Sequence, residues 1–266
     1  MERKSVNSDA YPERMGNVMD YKLLLDTAVF AGEVLMKSGA ETYRVEDTMY
    51  RILKKSELKT VEVLVMMTGF VATLDDPSID SLTVVRRITS RGTNLDRIDR
   101  VNRISREFCA DHITLDETFH RMKELWREPE VPFRRIIPMA AITGGFAIMF
   151  GGTLPEAAVA AVVGVIASFV LILCRKYRVH TFLENIVCCA VMAMAIGIVV
   201  KSLPGTYNKD LLIISSIMPF VPGAAITNAV FDILHGDYLS GVARAAEAFV
   251  IAAAVALGIG IGMSMI

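Results

Sequence analysis

The sequence predicts an α+β cytoplasmic N-terminal domain followed by an all-α transmembrane domain of five helices, and three observations predict it. Residues 1–135 hold 22 Lys and Arg and 23 Asp and Glu, whereas residues 136–266 hold only six of each. In the first half, apolar residues recur at helical spacing on either side of a stretch rich in valine and threonine. From residue 136 onward, apolar runs close to the ~20 residues that cross a hydrocarbon core follow one another. At 53% hydrophobic and 21% charged over 266 residues, the composition argues against a purely soluble pair of domains. Neither half has a basic excess, so nucleic acid is not an expected partner.

The opening MERKSVNSDAYPERMGN is polar and has no apolar core of the kind a secretory signal needs, so residues 1–19 read as a disordered tail. The cytoplasmic domain is assigned to residues 20–128. Its first helix runs from Asp20 to Lys37 on Leu23, Leu24, Ala28, Val29, Leu35 and Met36, and Gly39 stands where a C-terminal cap belongs. A second helix, from about Glu41 to Lys55, has the stripe Val45, Met49, Ile52 and Leu53 opposite Glu46, Asp47, Arg51 and Lys54. VEVLVMMTGFVATL and SLTVVRRIT then read as two or three strands joined by a turn at Asp76-Pro77, with Gly69 marking a bulge or bend. Helical spacing returns at Leu95, Ile98, Val101, Ser105 and Phe108. Thr114-Leu-Asp-Glu117 has capping-box form and starts a helix that carries Leu115, Phe119, Met122 and Trp126.

Residues 129–135 form a linker, with a hinge at Pro129 and Pro132 and the membrane edge at Arg134-Arg135. The apolar segments beyond are 136–152, 155–174, 182–201, 211–234 and 238–266. Arg134, Arg135, Arg175, Lys176 and Arg178 flank one side of these segments, and Lys201 and Lys209 the other. The positive-inside rule therefore places the N-terminus in the cytoplasm and the C-terminus outside.

The fourth segment, IISSIMPFVPGAAITNAVFD, holds Pro219, Pro222 and Gly223 near its middle. Proline removes a donor and clashes with the preceding turn, so the helix breaks there. Open backbone groups at membrane depth are tolerated only inside protein or along a water-filled cavity. A half-helix restarting at Gly223 would aim the amides of Ala224, Ala225 and Ile226 into the membrane as a carboxylate or anion site. Thr227 and Asn228 add polar groups in the next turn, and Asn228 and Asp232 share a face. The rival reading is a proline kink that only shapes packing. In the fifth segment, Arg244 and Glu247 sit three apart in an otherwise apolar helix, where an isolated charge costs several kcal/mol. Asp232 can pair with Arg244 across the His235-Gly236-Asp237 turn, leaving Glu247 for protonation or a second contact; alternatively, Arg244 and Glu247 snorkel to the interface. Gly258, Gly260 and Gly262 offer a close-packing face.

Glu156, after Pro155, reads as complementing a helix N-terminus rather than binding substrate. Glu184-Asn185 is open to either role. His112, Asp116 and His120 have i, i+4, i+8 spacing that suits metal or hydrolytic chemistry, but Thr114 as an N-cap would leave His112 outside the helix. Cys109, Cys174, Cys188 and Cys189 lack CxxC spacing, so neither a disulfide framework nor a zinc site is expected. No Walker loop, GxGxxG, GxSxG or HExxH is present, so no cofactor is expected and an enzyme is not.

Gly39-Ala-Glu-Thr-Tyr-Arg-Val-Glu-Asp47, the strand-rich segment after it, and Pro222-Gly-Ala-Ala-Ile-Thr-Asn-Ala-Val-Phe-Asp232 in a five-span half resemble the threonine/serine exporter family over nearly the whole chain after the tail. The resemblance implies a secondary transporter moving small hydrophilic metabolites outward across the bacterial cytoplasmic membrane, threonine and serine in some members and dicarboxylates such as succinate in others. It also implies a chain of about ten spans or two subunits, of which the larger has this layout. Five spans here point to a small membrane partner subunit, or to self-association, around a substrate site near the bilayer midplane. In this reading Gly223 binds the substrate carboxylate, Thr227 and Asn228 orient it, and Asp232, Arg244 and Glu247 compensate charge or couple protons. Asn228→Ala or Asp232→Ala should then abolish export and leave membrane insertion intact. The alternative function is a membrane-anchored regulator or sensor with a ligand-binding cytoplasmic domain.

Overall fold

The structure, a computed structural model, describes residues 19–89, 91–127, 136–202 and 207–265. The expected tail up to residue 18, the Pro129 and Pro132 hinge and the Arg134-Arg135 edge lie outside the described residues. The chain divides into two compact units. The first takes in residues up to Ala40 and Arg44–Arg127, and the second takes in Glu41–Tyr43 and the chain from Glu128 onward.

In the first unit, α1 (Tyr21–Lys37) starts at Asp20, whose side chain accepts from the Leu23 amide. It stops at Ser38 because Gly39 takes φ +84°, which lets the Gly39 amide reach the Met36 carbonyl and the Ala40 amide reach Leu35. The expected cap is therefore a Schellman turn. The helix α2 (Thr42–Lys54) buries its whole expected stripe, Val45, Met49, Ile52 and Leu53. Strands β1 (Thr60–Met66), β2 (Gly69–Asp76) and β3 (Ile79–Arg87) form an antiparallel meander in the order β1-β2-β3. Gly69 does not mark a bulge. It opens β2 opposite Met66 and Arg87, where a Cβ would strike the Arg86 carbonyl, and the register shift falls between Leu74 and Asp76 at the second turn.

Two further helices complete this unit, α3 (Leu95–Cys109) and α4 (Leu115–Arg127). Leu95 is 72% exposed rather than in the core, because it is the first residue after the Asn94 cap; Ile104 takes a core place the spacing did not assign. In α4, Leu125 is buried, while Trp126 is half-buried and donates to Glu33 Oε2 at 2.6 Å. Thr114 accepts from the Glu117 amide at 3.3 Å as expected, and Glu117 itself pairs with Arg121. One core joins Leu24, Val45, Phe70, Leu74, Val101 and Met122.

The second unit is helical from residue 136 onward: α5 (Ile136–Met149), α6 (Leu154–Lys176), α7 (Thr181–Ser202), α8 (Lys209–Ile217), a 3-10 turn (Met218–Phe220), α9 (Gly223–Leu234) and α10 (Tyr238–Ser264). By length and composition, α6, α7 and α10 can each cross a membrane, and the bent α8–α9 pair makes a fourth crossing if taken as one span. The first expected segment is shorter than its apolar run. It ends at Met149, with Gly151 at φ +85° turning the chain, so α5 rises only about 21 Å.

Small residues let these helices approach closely. Gly164 of α6 faces Thr143 and the Met139 carbonyl of α5, and Gly258 and Gly262 of α10 lie on the carbonyls of Ile186 and Ala190 in α7. Gly260, between them, meets nothing within 4 Å, so the packing face expected of all three glycines belongs to two.

Glu156 closes a capping box on α6. Its Oε2 accepts from the Thr153 amide at 2.8 Å and hydroxyl at 2.9 Å, and its Oε1 accepts from the Asn208 amide at 2.8 Å, just before α8. Glu156→Ala would orphan these donors at about 1–3 kcal/mol for each that stays buried. A lowered melting temperature of the purified full chain in detergent is the expected result, and an unchanged one would mean that water replaces the carboxylate.

Candidate functional site

Pro219 falls in the 3-10 turn that ends α8, and Pro222 stands as the N-cap of α9. The two prolines break the apolar run as expected, and the pieces meet at 54°. Gly223, the first residue of α9, is exposed, and a Cβ there would meet nothing within 4 Å. No side chain caps this terminus. The Gly223 amide donates to the Val221 carbonyl at 2.8 Å and the Ile226 amide to that of Pro222 at 3.0 Å, so the amides left for an anion are those of Ala224 and Ala225, without Ile226. Thr227, exposed, donates its hydroxyl to the Gly223 carbonyl at 3.0 Å, and Asn228 is half-buried in the same turn.

Toward the other end of α9 lies a buried polar cluster. Asp232 Oδ2 accepts from Arg244 Nε at 3.0 Å, with side chains 0% and 9% exposed, so the pairing expected across the 235–237 turn forms. The partner that spacing did not reveal is Thr42. Its amide donates to Asp232 Oδ1 at 3.1 Å, its hydroxyl to Oδ2 at 3.2 Å, and Arg244 Nη2 reaches that hydroxyl at 3.4 Å. Next to it the rings of Tyr43 and His235 stack at 4.0 Å, and His235 Nδ1 lies 2.8 Å from the Phe231 carbonyl. The available signal was the co-occurrence of the 39–47 and 222–232 motifs, which spacing alone could not turn into contact.

Glu247 is exposed on α10 and stands outside this cluster. Glu184 pairs with Arg175 at 3.3 Å, tying the ends of α6 and α7 together, and Asn185 is buried beside it in sequence. His112 precedes α4, so the His112, Asp116, His120 alignment on one helix does not exist. All four cysteines are free, and among the described residues no group of three or more His, Cys, Asp or Glu could hold a metal.

A family model described as "Putative threonine/serine exporter" matches residues 26–266. The chain belongs to the threonine/serine exporter family. Members of this family are membrane transporters and not enzymes. The chain is 23% identical over 239 residues to the "Probable threonine/serine exporter" of Mycobacterium tuberculosis, covering 87% of this chain and 44% of that protein. It is also 23% identical over 236 residues to the "Probable succinate transporter subunit YjjP" of Klebsiella aerogenes, covering 87% of this chain and 89% of that one. This threonine/serine exporter family chain thus spans less than half of the mycobacterial relative and most of the other. No solved structure matches it.

Proposed function

We propose that the chain is a subunit of a secondary transporter that exports small hydrophilic carboxylates, threonine and serine or dicarboxylates such as succinate, across the bacterial cytoplasmic membrane. The observation that carries this is the exposed, uncapped N-terminus of α9 inside a broken apolar helix. Its Ala224 and Ala225 amides suit a carboxylate, and Thr227 and Asn228 stand in the next turn to orient it. Asp232 and Arg244 form an ion pair toward the other end of α9, and together with the exposed Glu247 they supply charge compensation or proton coupling. The site alternates between the two sides as the helix pieces rock.

Five crossings, with the N-terminus in the cytoplasm and the C-terminus outside, agree with the contacts at the helix ends. Arg175 meets Glu184 at the α6–α7 connection, and Thr42 meets Asp232 near the α9–α10 connection, two connections that this topology puts inside. Glu156 meets Asn208 where the topology has both outside. A small second membrane subunit would complete the pathway; one relative bears the name of a transporter subunit.

The test is efflux of radiolabelled threonine and, separately, succinate from preloaded cells expressing the chain with its candidate partner. Asn228→Ala should cost a hydrogen bond to a charged ligand, about 1.5–3 kcal/mol, or roughly tenfold to a hundredfold in apparent affinity. Undiminished efflux by a variant present in the membrane at parental abundance would remove Asn228 from the site. No efflux of either compound by the parent would move the function to a membrane-anchored sensor.

A further inference from the structure

Thr42 and Asp232 are 190 residues apart in sequence, yet their side chains form a closed ring with Arg244 in which every contact is between hydrogen-bonding groups. Two properties set this ring apart from an ordinary ion pair. First, Asp232 accepts from the Thr42 amide as well as from its hydroxyl, so it holds the backbone of that residue and not its side chain alone. Second, the Thr42 hydroxyl donates to Asp232 and accepts from Arg244 at once, a dual role open to threonine and serine but closed to valine or alanine.

We propose that Thr42 is a positioning residue for transport: by fixing the Asp232 carboxylate it fixes α9, and with it the direction in which the Gly223 terminus points. This rests on the reading of that terminus as the substrate site. Among the described residues α9 packs chiefly against α10, with Gly241 of α10 lying on the Ala229 carbonyl and Ile233. That contact resists separation of the two helices. The ring supplies the directional constraint, because its hydrogen bonds tolerate little misalignment. Nine residues of helix, about 14 Å, separate Asp232 from Gly223, and a helix carries a rotation at one end to the other. The Tyr43–His235 stack alongside holds the 41–43 segment in place.

The test uses the full chain with Cys109, Cys174, Cys188 and Cys189 replaced by alanine and Ala224→Cys introduced at the exposed start of α9. The rate of its labelling by a small water-soluble maleimide in membranes reads the position of that terminus without reference to any substrate. Thr42→Val, close in shape but without the hydroxyl, should change the labelling rate several-fold, and Thr42→Ser should restore it. Parental labelling in Thr42→Val, or a Thr42→Ser chain that behaves like Thr42→Val, overturns the proposal. Should Thr42→Val fail to accumulate, the T42V/D232L/R244M chain takes its place: a labelling rate several-fold away from the parent's is expected, and a parental rate overturns the proposal. Efflux by Asn228→Ala in the native-cysteine background separates the two ideas. Shifted labelling together with undiminished efflux in Asn228→Ala keeps the positioning role and removes the site, whereas unshifted labelling with lost efflux in Asn228→Ala keeps the site and removes the positioning role.

Discussion

Asp232→Ala is expected to destabilise the membrane half by about 3–5 kcal/mol, the cost of breaking a buried ion pair by removing its carboxylate. The carboxylate removed is fully buried and serves the Arg244 guanidinium together with the amide and hydroxyl of Thr42. The guanidinium cannot shed its charge, and at 9% exposure it has little access to water. The chain should therefore reach the membrane in reduced amount or melt well below the parent, and the cells should show no export. From sequence alone, this substitution looked like one that would abolish export and spare insertion. The buried ring changes that expectation and makes Asn228→Ala the cleaner probe of the site. Replacing the pair together, as Asp232→Leu with Arg244→Met, should recover much of the stability, since apolar substitutes for buried pairs are close to neutral or better. Thermal melts of the purified single and double variants in detergent decide it: a single variant as stable as the parent would mean that another group neutralises Arg244.

Gly258→Val should separate α10 from α7. A Cβ on Gly258 would stand 2.5 Å from the Ile186 carbonyl and 2.8 Å from Cys189 Cβ, and one on Gly262 would stand 2.8 Å from Ala193 Cβ and collide with the Ala190 carbonyl. The obstacles are carbonyl and Cβ atoms of a facing helix, which cannot swing aside as the end of a long side chain does. Overpacking costs about 1–3 kcal/mol when neighbours can adjust, and more is expected here. Gly262→Val should act alike, while Gly260→Val, with open space around it, should leave the melting temperature close to the parent's. Equal behaviour of Gly258→Val and Gly260→Val would show that the two helices do not meet through these carbonyls. The contrast matters for function because α10 carries both Arg244 and Gly241, so its seat on α7 also sets where α9 stands.

What the sequence determined by itself were the properties that are local or additive. The partition of charge separated a polar half from an apolar one without reference to any contact. Every residue that periodicity placed in the cores of α1 and α2 is buried, because a helix that buries one stripe must repeat it every three or four positions, although α1 also buries Leu25, Thr27, Ala31, Gly32 and Val34. Proline chemistry placed the break at Pro219 and Pro222, and the demands of a helix terminus assigned Glu156 to the start of α6. Errors came where a local rule met its boundary: Leu95 fits the period but lies in the first turn, and where Gly69 suggested a bulge or bend, the register shift falls instead between Leu74 and Asp76. Tertiary structure decided the rest. Gly260 turned away from the face of Gly258 and Gly262, and Glu247 stayed outside the cluster that took Asp232 and Arg244. Above all, Thr42 reached Asp232 across 190 residues. A helical period says which side of a helix is buried but not which distant chain will supply the partner, and a buried charge makes that choice matter, because only a group with the right donors in the right place can offset its lost hydration.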